Sequence, residues 1–244
     1  MRLLDLTLPT PAENLALDEA LLESAEAAAR PTEVLRLWEP DRPMVILGRS
    51  SKIDEEVDRD ACRQLDIPIL RRVSGGLTIL TGPGCLMYAL VLSLEQRPEL
   101  RAVEHAHRFV LGTHAAALSA HVPGVRCQGT SDIAIDDGNS PPRKFSGNSI
   151  RVKRTHLLYH GTILYDFPLD QIEQCLKTPP RMPDYRNARD HTSFLTNLPL
   201  PAATIRQSLV AAWDATEPLR DWPQERCKQL VAECYQRVGR TEAP

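Results

Sequence analysis

Residues 70–92 read LRRVSGGLTILTGPGCLMYALVL, and in them apolar runs alternate with two glycine-rich turns. The pattern predicts strand, glycine turn, strand, loop and strand. Arg71 and Arg72 stand shortly before the Ser-Gly-Gly turn at residues 74–76. Two guanidinium groups beside such a turn can bind a carboxylate or a phosphate, because glycine lets a ligand approach the main chain closely. A solvated strand end would fit the same residues, so the rest of the chain has to decide between the two.

The composition is ordinary for a water-soluble protein. The 244 residues are 42% hydrophobic and 25% charged, which is enough to bury a substantial core. The net charge of -3 gives no reason to expect nucleic-acid binding, which usually requires a basic excess. No apolar run reaches the about 18 residues of a membrane span. The first 22 residues carry four acidic side chains, unlike the apolar core of a signal peptide. We therefore expect a cytoplasmic protein without nucleic-acid or membrane partners.

Strand and helix signals alternate along the chain. Strands are predicted at 3–8, 34–37, 44–47, 125–135, 144–152 and 156–166, and helices at 15–29, 53–65, 99–121, 169–177, 202–216 and 223–238. Asn14 is the predicted N-cap of the first helix. Antiparallel strand pairs with intervening helices predict an α+β fold. The six cysteines show no Cys-x-x-Cys spacing, which argues against a disulfide framework and a structural zinc site.

Two further stretches carry residues with chemical potential. GTSD at residues 129–132 opens an alternating strand, and RKFSGNS at 143–149 is followed by HLLYHGTIL at 156–164. ENLALDEALL precedes them near the N-terminus, and MVILGRSSKIDEEVD lies at 44–58. Their order resembles the lipoate–protein ligase A and octanoyltransferase family, which shares a fold with the catalytic domains of biotin–protein ligases.

The resemblance covers residues 14 to about 167. It implies a mixed, largely antiparallel sheet flanked by helices. Ligases of this family typically carry an additional C-terminal domain, but the chain ends too soon to hold one of ordinary size. We therefore expect a single catalytic domain over residues 1–244, with a helical extension at about 168–244 and no separate accessory C-terminal domain.

The implied reaction joins lipoate or octanoate to the lysine of a lipoyl-carrier domain. That domain would belong to a 2-oxoacid dehydrogenase or be a glycine cleavage carrier protein. A ligase activates the acid with ATP and Mg as an acyl-adenylate, whereas a transferase takes it from an acyl carrier protein as a thioester. In both reactions a tetrahedral oxyanion develops, and a fixed cation beside it lowers the barrier.

The resemblance also assigns residues to this chemistry. Lys144 occupies the position of the family's essential lysine, Asp132 would hold Mg or orient the adenylate, and His160 would orient the acyl carbonyl. The other residues assigned to the acyl-adenylate are Arg71, Arg72, Ser74, Gly75, Gly76, Ser146, Gly147, Asn148 and Gly161. The ordinary alternatives are a strand-edge lysine, a capping carboxylate and a satisfied, partly buried histidine.

The chain departs from the ligase pattern in the second glycine-rich turn, where Thr81 and Cys85 replace the family's His and Asn. Cys127 lies just before Gly129, close to the nucleophile of cysteine-dependent octanoyltransferases. A thiolate beside Lys144 could carry the acyl group, although an inert strand cysteine fits as well. Three alternatives therefore stand: a ligase, a transferase that uses Cys127, and a non-catalytic acyl-protein binding subunit that works beside a separate accessory subunit.

Overall fold

The computed structural model describes residues 1–235. Its strands are β1 Arg2–Asp5, β2 Val34–Trp38, β3 Met44–Leu47, β4 Ile69–Arg71, β5 Ile79–Thr81, β6 Cys85–Ser93, β7 Val125–Gln128, β8 Asp132–Ile135, β9 Arg143–Val152, β10 His156–Leu164 and β11 Glu217–Pro218. Its α-helices are α1 Pro11–Ala27, α2 Ile53–Glu56, α3 Arg59–Gln64, α4 Val103–Ser119, α5 Asp170–Cys175, α6 His191–Phe194, α7 Ala202–Ala212 and α8 Gln224–Leu230.

The strands form an eight-stranded sheet of order β11-β1-β2-β6-β10-β9-β8-β7 and a three-stranded sheet of order β4-β3-β5. β1 runs parallel to β2 and β11, and β3 runs parallel to β4. The other pairs are antiparallel. The predicted α+β fold with a mixed, largely antiparallel sheet is confirmed. No helix within residues 1–235 is both long and apolar enough to cross a membrane.

Both faces of the larger sheet are covered. Leu86, Tyr88 and Leu90 of β6 pack against α4 and α7, and we call this side the α4 face. The alternate residues, among them Met87 and Ala89, pack against α1 and the smaller sheet, on the side that we call the α1 face. Side chains alternate between the two faces along a strand, and residues that pair across neighbouring strands share a face. The register partner of a residue therefore shows on which face its side chain lies.

Helix α1 begins earlier than the sequence analysis predicted. Thr10, not Asn14, is the N-cap, and Pro11 is the first helical residue. The amide of Glu13 donates to the Thr10 hydroxyl at 3.2 Å, and the Thr10 amide donates to the Glu13 carboxylate at 2.9 Å. This capping box satisfies two helix-end donors reciprocally. Asn14 is buried instead, and its side-chain oxygen accepts from the Leu8 amide at 2.9 Å.

Other predicted elements are divided in the structure. The strand expected at 125–135 is a hairpin of β7 and β8, because Gly129 adopts a φ of +55° that favours glycine. The helix expected at 53–65 ends before Val57 and restarts after Asp58, whose carboxylate caps α3. The last predicted helix extends to 238, and its residues 236–238 lie outside the described part of the chain.

A buried ion pair ties α1 to the middle of the larger sheet. Arg36 of β2 has no exposed surface, and its Nη1 lies 2.6 Å from Asp18 Oδ1 of α1. The same guanidinium donates to the Asn14 carbonyl and to its side-chain oxygen, both at 2.7 Å. Burial lowers the pKa of Arg36, and the charge of Asp18 opposes this change. The carboxylate and these hydrogen bonds together compensate a charge that water cannot reach.

We predict that Arg36→Met destabilises the protein, because it leaves the buried Asp18 without its cation. The free energy of unfolding, measured by urea denaturation, should fall by about 3–5 kcal/mol. The control is Arg226→Met, which breaks a partly exposed pair between Arg226 and Glu23 and should leave the free energy of unfolding nearly unchanged, because exposed ion pairs contribute little. Equal losses in the two variants would contradict this role for Arg36.

Candidate active site

A lysine and an aspartate meet where β8 and β9 pair. Lys144 Nζ lies 2.7 Å from Asp132 Oδ1, and the exposed fractions of the two side chains are 24% and 9%. Asp132 pairs with Gly147 in the register, so both belong to the same face. A Cβ on Gly147 would lie 2.7 Å from Lys144 Nζ. The ammonium group therefore occupies the space that a side chain at position 147 would fill.

A β-bulge brings Lys144 to this face. Ile133 pairs with Ser146 whereas Ala134 pairs with Lys144, so Phe145 is an extra residue in β9. A regular strand would place Lys144 and Gly147 on opposite faces, because they are an odd number of residues apart. The extra residue bends the strand and redirects the lysine. The sequence analysis did not predict the bulge.

Tyr185 completes the surroundings of Asp132. Its hydroxyl donates to Asp132 Oδ2 at 2.8 Å, and it comes from the one-turn 3-10 helix Asp184–Arg186. Burial raises the pKa of Tyr185, and the negative charge of Asp132 raises it further, so the phenol keeps its proton and donates. Sequence reasoning missed this residue, since a tyrosine in a proline-rich loop carries no motif.

The two predicted ligand arginines are engaged with backbone in this structure. Nη2 of Arg72 donates to the carbonyls of Gly75 at 2.6 Å and Leu77 at 2.9 Å. Nη1 of Arg71 donates to the carbonyl of Gly48 at 2.7 Å. Arg72 is buried, and this burial lowers its pKa to about 10. Both arginines hold loops in shape, and their contact with a carboxylate or phosphate stays a prediction.

The turn at residues 74–76 presents backbone donors. Within residues 1–235, the amides of Gly75 and Gly76 donate to no protein atom. A Cβ at Gly75 would meet nothing within 4 Å, so the space beside it is open. Gly76 has a φ of +83°, a conformation that favours glycine. Free amides beside open space are suited to an anion or a developing oxyanion.

His160 connects this turn to α1. It pairs with Ser149 in the register, which places it on the α1 face with Gly147. Its Nε2 is hydrogen-bonded to Ser74 Oγ, and its Nδ1 lies 3.4 Å from Asp18 Oδ2. The histidine that was predicted to orient an acyl carbonyl thus contacts Ser74 in this structure, within a buried network that ends at the Asp18 ion pair.

The structure does not bring Ser146, Asn148 and Gly161 to the same face as Lys144. The Asn148 side chain accepts from the Tyr88 hydroxyl on the α4 face, and Ser146 Oγ lies beside it at 3.3 Å. Gly161 leaves room for this amide, because a Cβ there would overlap Asn148 Oδ1. Strand alternation puts these three residues across the sheet from Lys144, Asp132, Gly147 and His160. Their contact with an acyl-adenylate stays a prediction.

Neither candidate cysteine has the environment of a nucleophile. Cys127 pairs with Ile133, whose side chain packs under α4, so both lie on the α4 face, across the sheet from Lys144. Cys127 is exposed, yet partial desolvation raises the pKa of its thiol. Cys85 is buried, and burial raises its pKa to about 12. A raised pKa lowers the thiolate fraction on which reactivity depends.

Asp132 does not fit the predicted role of a magnesium ligand. Both of its oxygens are engaged, one by Lys144 and the other by Tyr185. Among residues 1–235, no three His, Cys, Asp or Glu side chains are arranged to hold a metal ion. We therefore derive no step that uses a metal at this carboxylate.

We predict that Gly147→Ala destabilises the protein, because the new Cβ displaces the ammonium of Lys144 from the buried Asp132. The free energy of unfolding should fall by about 1.5–3 kcal/mol, the scale of a lost hydrogen bond to a charged group. The control is Gly112→Ala in α4, where a Cβ meets nothing within 4 Å; it should stabilise by about 0.5–1 kcal/mol. A gain in stability for both variants would show that the ammonium does not depend on this space.

Comparison with known proteins places the chain in a family. Residues 10–209 match the family described as lipoyl protein ligase A/B catalytic domain. A putative lipoate-protein ligase A of Schizosaccharomyces pombe is 29% identical over 174 residues, which cover 69% of this chain and 42% of the relative. Octanoyltransferase LipM of Carboxydothermus hydrogenoformans is 31% identical over 178 residues, which cover 68% and 65%.

The fold is similar to that of a bi-partite lipoate protein ligase from Thermoplasma acidophilum. The TM-score is 0.81 at 22% identity, and the alignment covers 100% of this chain and 98% of the other. By contrast, the chain spans only about half the length of the curated relatives that it matches, between 42% and 65%. The family match extends over the strands that carry Asp132, Lys144 and His160. This chain therefore belongs to the lipoyl protein ligase A/B catalytic domain family.

Proposed function

We propose that this chain attaches lipoate or octanoate to the lysine of a lipoyl-carrier protein domain, through an acyl-adenylate made from ATP. One observation carries the proposal. The Lys144 ammonium, held by Asp132, lies on the same sheet face as His160, whose partner Ser74 begins the turn with the free amides of Gly75 and Gly76. A fixed cation and free donors on one face are what acyl transfer from an activated carboxylate requires.

The chemistry divides between two steps. The carboxylate first attacks ATP, so that the acyl-adenylate forms and pyrophosphate leaves. The carrier lysine then attacks the acyl carbon, the amide bond forms and AMP leaves. In the second step the carbonyl oxygen becomes an oxyanion, for which Lys144 supplies positive charge and the turn supplies hydrogen bonds. Asp132 and Tyr185 hold the lysine in place, which saves the reorganisation that a free side chain would need.

The partners follow from the same proposal. The acceptor is a lipoyl domain of a 2-oxoacid dehydrogenase or a glycine cleavage carrier protein. The Thermoplasma ligase was analysed together with its E2 lipoyl domain, and its description as bi-partite supports the idea of a separate accessory subunit beside this chain. A solved lipoate-protein ligase A of similar fold has ATP bound, which supports ATP as the activating substrate.

The transferase is the second candidate function, and the match to an octanoyltransferase favours it. In that reaction the acyl group would come from acyl carrier protein. The location of Cys127 across the sheet from Lys144 and its raised pKa count against Cys127 as the acyl carrier. The ligase needs no nucleophilic cysteine, and we therefore place it first.

Two parallel incubations separate these functions. An apo lipoyl domain is mixed with the protein and either lipoate with Mg-ATP or octanoyl-acyl carrier protein without nucleotide. Intact mass then reports modification. Acylation only with ATP would establish the ligase, and acylation only from the carrier would establish the transferase. No acylation in either tube, with a lipoyl domain that a known ligase modifies, would support a non-catalytic subunit or the need for an accessory subunit.

We predict that Lys144→Ala lowers the acylation rate by roughly 10² to 10³-fold, the usual effect of removing an oxyanion partner. Lys153→Ala is the matched control, because its ammonium pairs with Glu23, far from Asp132 in the register of the sheet. It should retain the wild-type rate. Intact-mass time courses measure both variants, and near-wild-type turnover of Lys144→Ala would place the chemistry elsewhere.

We also predict that Cys127→Ser acylates the lipoyl domain at the wild-type rate, because the thiol lies across the sheet from Lys144. The same time courses measure it with both acyl sources. If Cys127→Ser lost transfer from octanoyl-acyl carrier protein but kept acylation with lipoate and ATP, the result would support the cysteine-dependent transferase.

A further inference from the structure

A chain of hydrogen bonds links Ser74, His160 and Asp18. The chemistry of each group determines which atom donates and which accepts. Asp18 is ion-paired with Arg36, and an ionised carboxylate only accepts. The ring nitrogen that faces it, Nδ1 of His160, therefore carries the proton. In the neutral imidazole the other nitrogen, Nε2, is then an acceptor, and the Ser74 hydroxyl donates to it.

Arg72 reinforces this direction. Its Nε donates to Ser74 Oγ at 3.1 Å, so the serine oxygen accepts from the guanidinium while its own hydrogen points to His160. The exposed fractions of Ser74, Asp18 and His160 are 0%, 3% and 8%. In surroundings of this kind hydrogen bonds are stronger than in water and polarise one another. A proton taken up by His160 would convert its contact with Asp18 into a charge-assisted hydrogen bond.

The chain of hydrogen bonds ends beside the space where the acyl group is expected. Ser74 directly precedes the two free amides of the turn. His160 pairs with Ser149, which lies two residues beyond Gly147 on the same face, or about 7 Å along the strand. The Lys144 ammonium lies directly beside the Cα of Gly147, in the space that a side chain there would fill. The lysine and the histidine that accepts from Ser74 therefore lie on the same face of the sheet, and open space begins beside Gly75, the residue after Ser74.

Acyl transfer to a lysine needs a proton acceptor in this region. A free lysine has a pKa of about 10.4, so the attacking amine has a proton to lose at neutral pH. Asp132 is occupied by Lys144 and Tyr185. In the neutral form of His160, Nε2 holds a lone pair that is reached through the Ser74 hydroxyl.

We propose that Ser74, His160 and Asp18 are a proton relay for the transfer step. The nitrogen of the carrier lysine forms a bond to the acyl carbon, the bond from that carbon to the adenylate oxygen breaks, and AMP leaves. Of the two protons that the lysine ammonium loses, one passes to Ser74 Oγ while the hydroxyl proton passes to His160 Nε2, and the other leaves with the AMP phosphate. Asp18 holds the ring in the required tautomer and stabilises the imidazolium. This inference rests on the proposed acyl transfer and assigns its base.

The test compares two acceptors of the same acyl group. Wild type and variants are mixed with synthetic octanoyl-adenylate, which bypasses activation by ATP, and with either an apo lipoyl domain or hydroxylamine. Hydroxylamine is unprotonated at neutral pH and needs no base to become a nucleophile. His160→Gln and Ser74→Ala should therefore transfer to the lysine about 10² to 10⁴-fold more slowly, the usual contribution of a general base. With hydroxylamine both should stay within a few-fold of wild type.

Ser149→Ala is the comparator for a structural effect. Its hydroxyl donates to the Gly75 carbonyl at 2.9 Å and so supports the same turn, but it has no part in the relay. Any loss in this variant should be equal for both acceptors. Circular dichroism confirms that each variant is folded, and the use of two relay variants keeps the test decisive if one of them is not.

Several results would overturn the relay. Equal slowing of both acceptors in His160→Gln and Ser74→Ala would show that these residues only shape the turn. Wild-type transfer to the lysine in both variants would show that the base lies elsewhere. An octanoyl ester recovered on Ser74 would make the serine a nucleophile. A wild-type chain that acylates neither acceptor would instead overturn the proposed function, and the relay with it.

Discussion

The contact between Arg36 and Asp18 is the constraint on which the rest of the site depends. A guanidinium in the middle of a central strand has to be compensated where water cannot reach it, and α1 supplies the carboxylate. Once Asp18 is fixed in this way, its second oxygen faces His160, and the orientation of His160 determines the partner of Ser74. The position of the glycine-rich turn at residues 74–76 is thus set from the first helix of the chain.

The bulge in β9 is a second constraint, because it decides which face of the sheet Lys144 occupies. Without the extra residue Phe145, Lys144 would point to the α4 face with Ser146 and Asn148. With it, the lysine reaches the face of Gly147, while the Asn148 amide spans from the Tyr88 hydroxyl to the carbonyl of Ser131. The stretch Lys-Phe-Ser-Gly-Asn therefore places the Lys144 ammonium on one face of the sheet and, on the other face, an amide that stabilises the pairing of β8 with β9.

The fold followed from the sequence where local signals were strong. The apolar run of β3 gave the observed bounds Met44–Leu47, and β2 and β10 were expected within two residues of their observed ends. Local patterns did not reveal contacts between distant residues. Tyr185 meets Asp132 across 53 residues, and His160 meets Asp18 across 142. One signal was present and missed: an arginine inside the buried strand VLRLW requires a buried acid, and Asp18 lies one turn after Asn14 on α1.

The arginines before the glycine turn explain why its amides are free. Arg72 and Ser149 both donate to the carbonyl of Gly75, which draws that oxygen toward the protein. In a trans peptide the carbonyl and the following N–H point in opposite directions. The amide of Gly76 is therefore turned away from these donors, toward the open side of the loop. The buried guanidinium of Arg72 thus fixes the orientation of the Gly75–Gly76 peptide group. A cation placed in this way can favour anion binding by a backbone amide without contacting the anion itself.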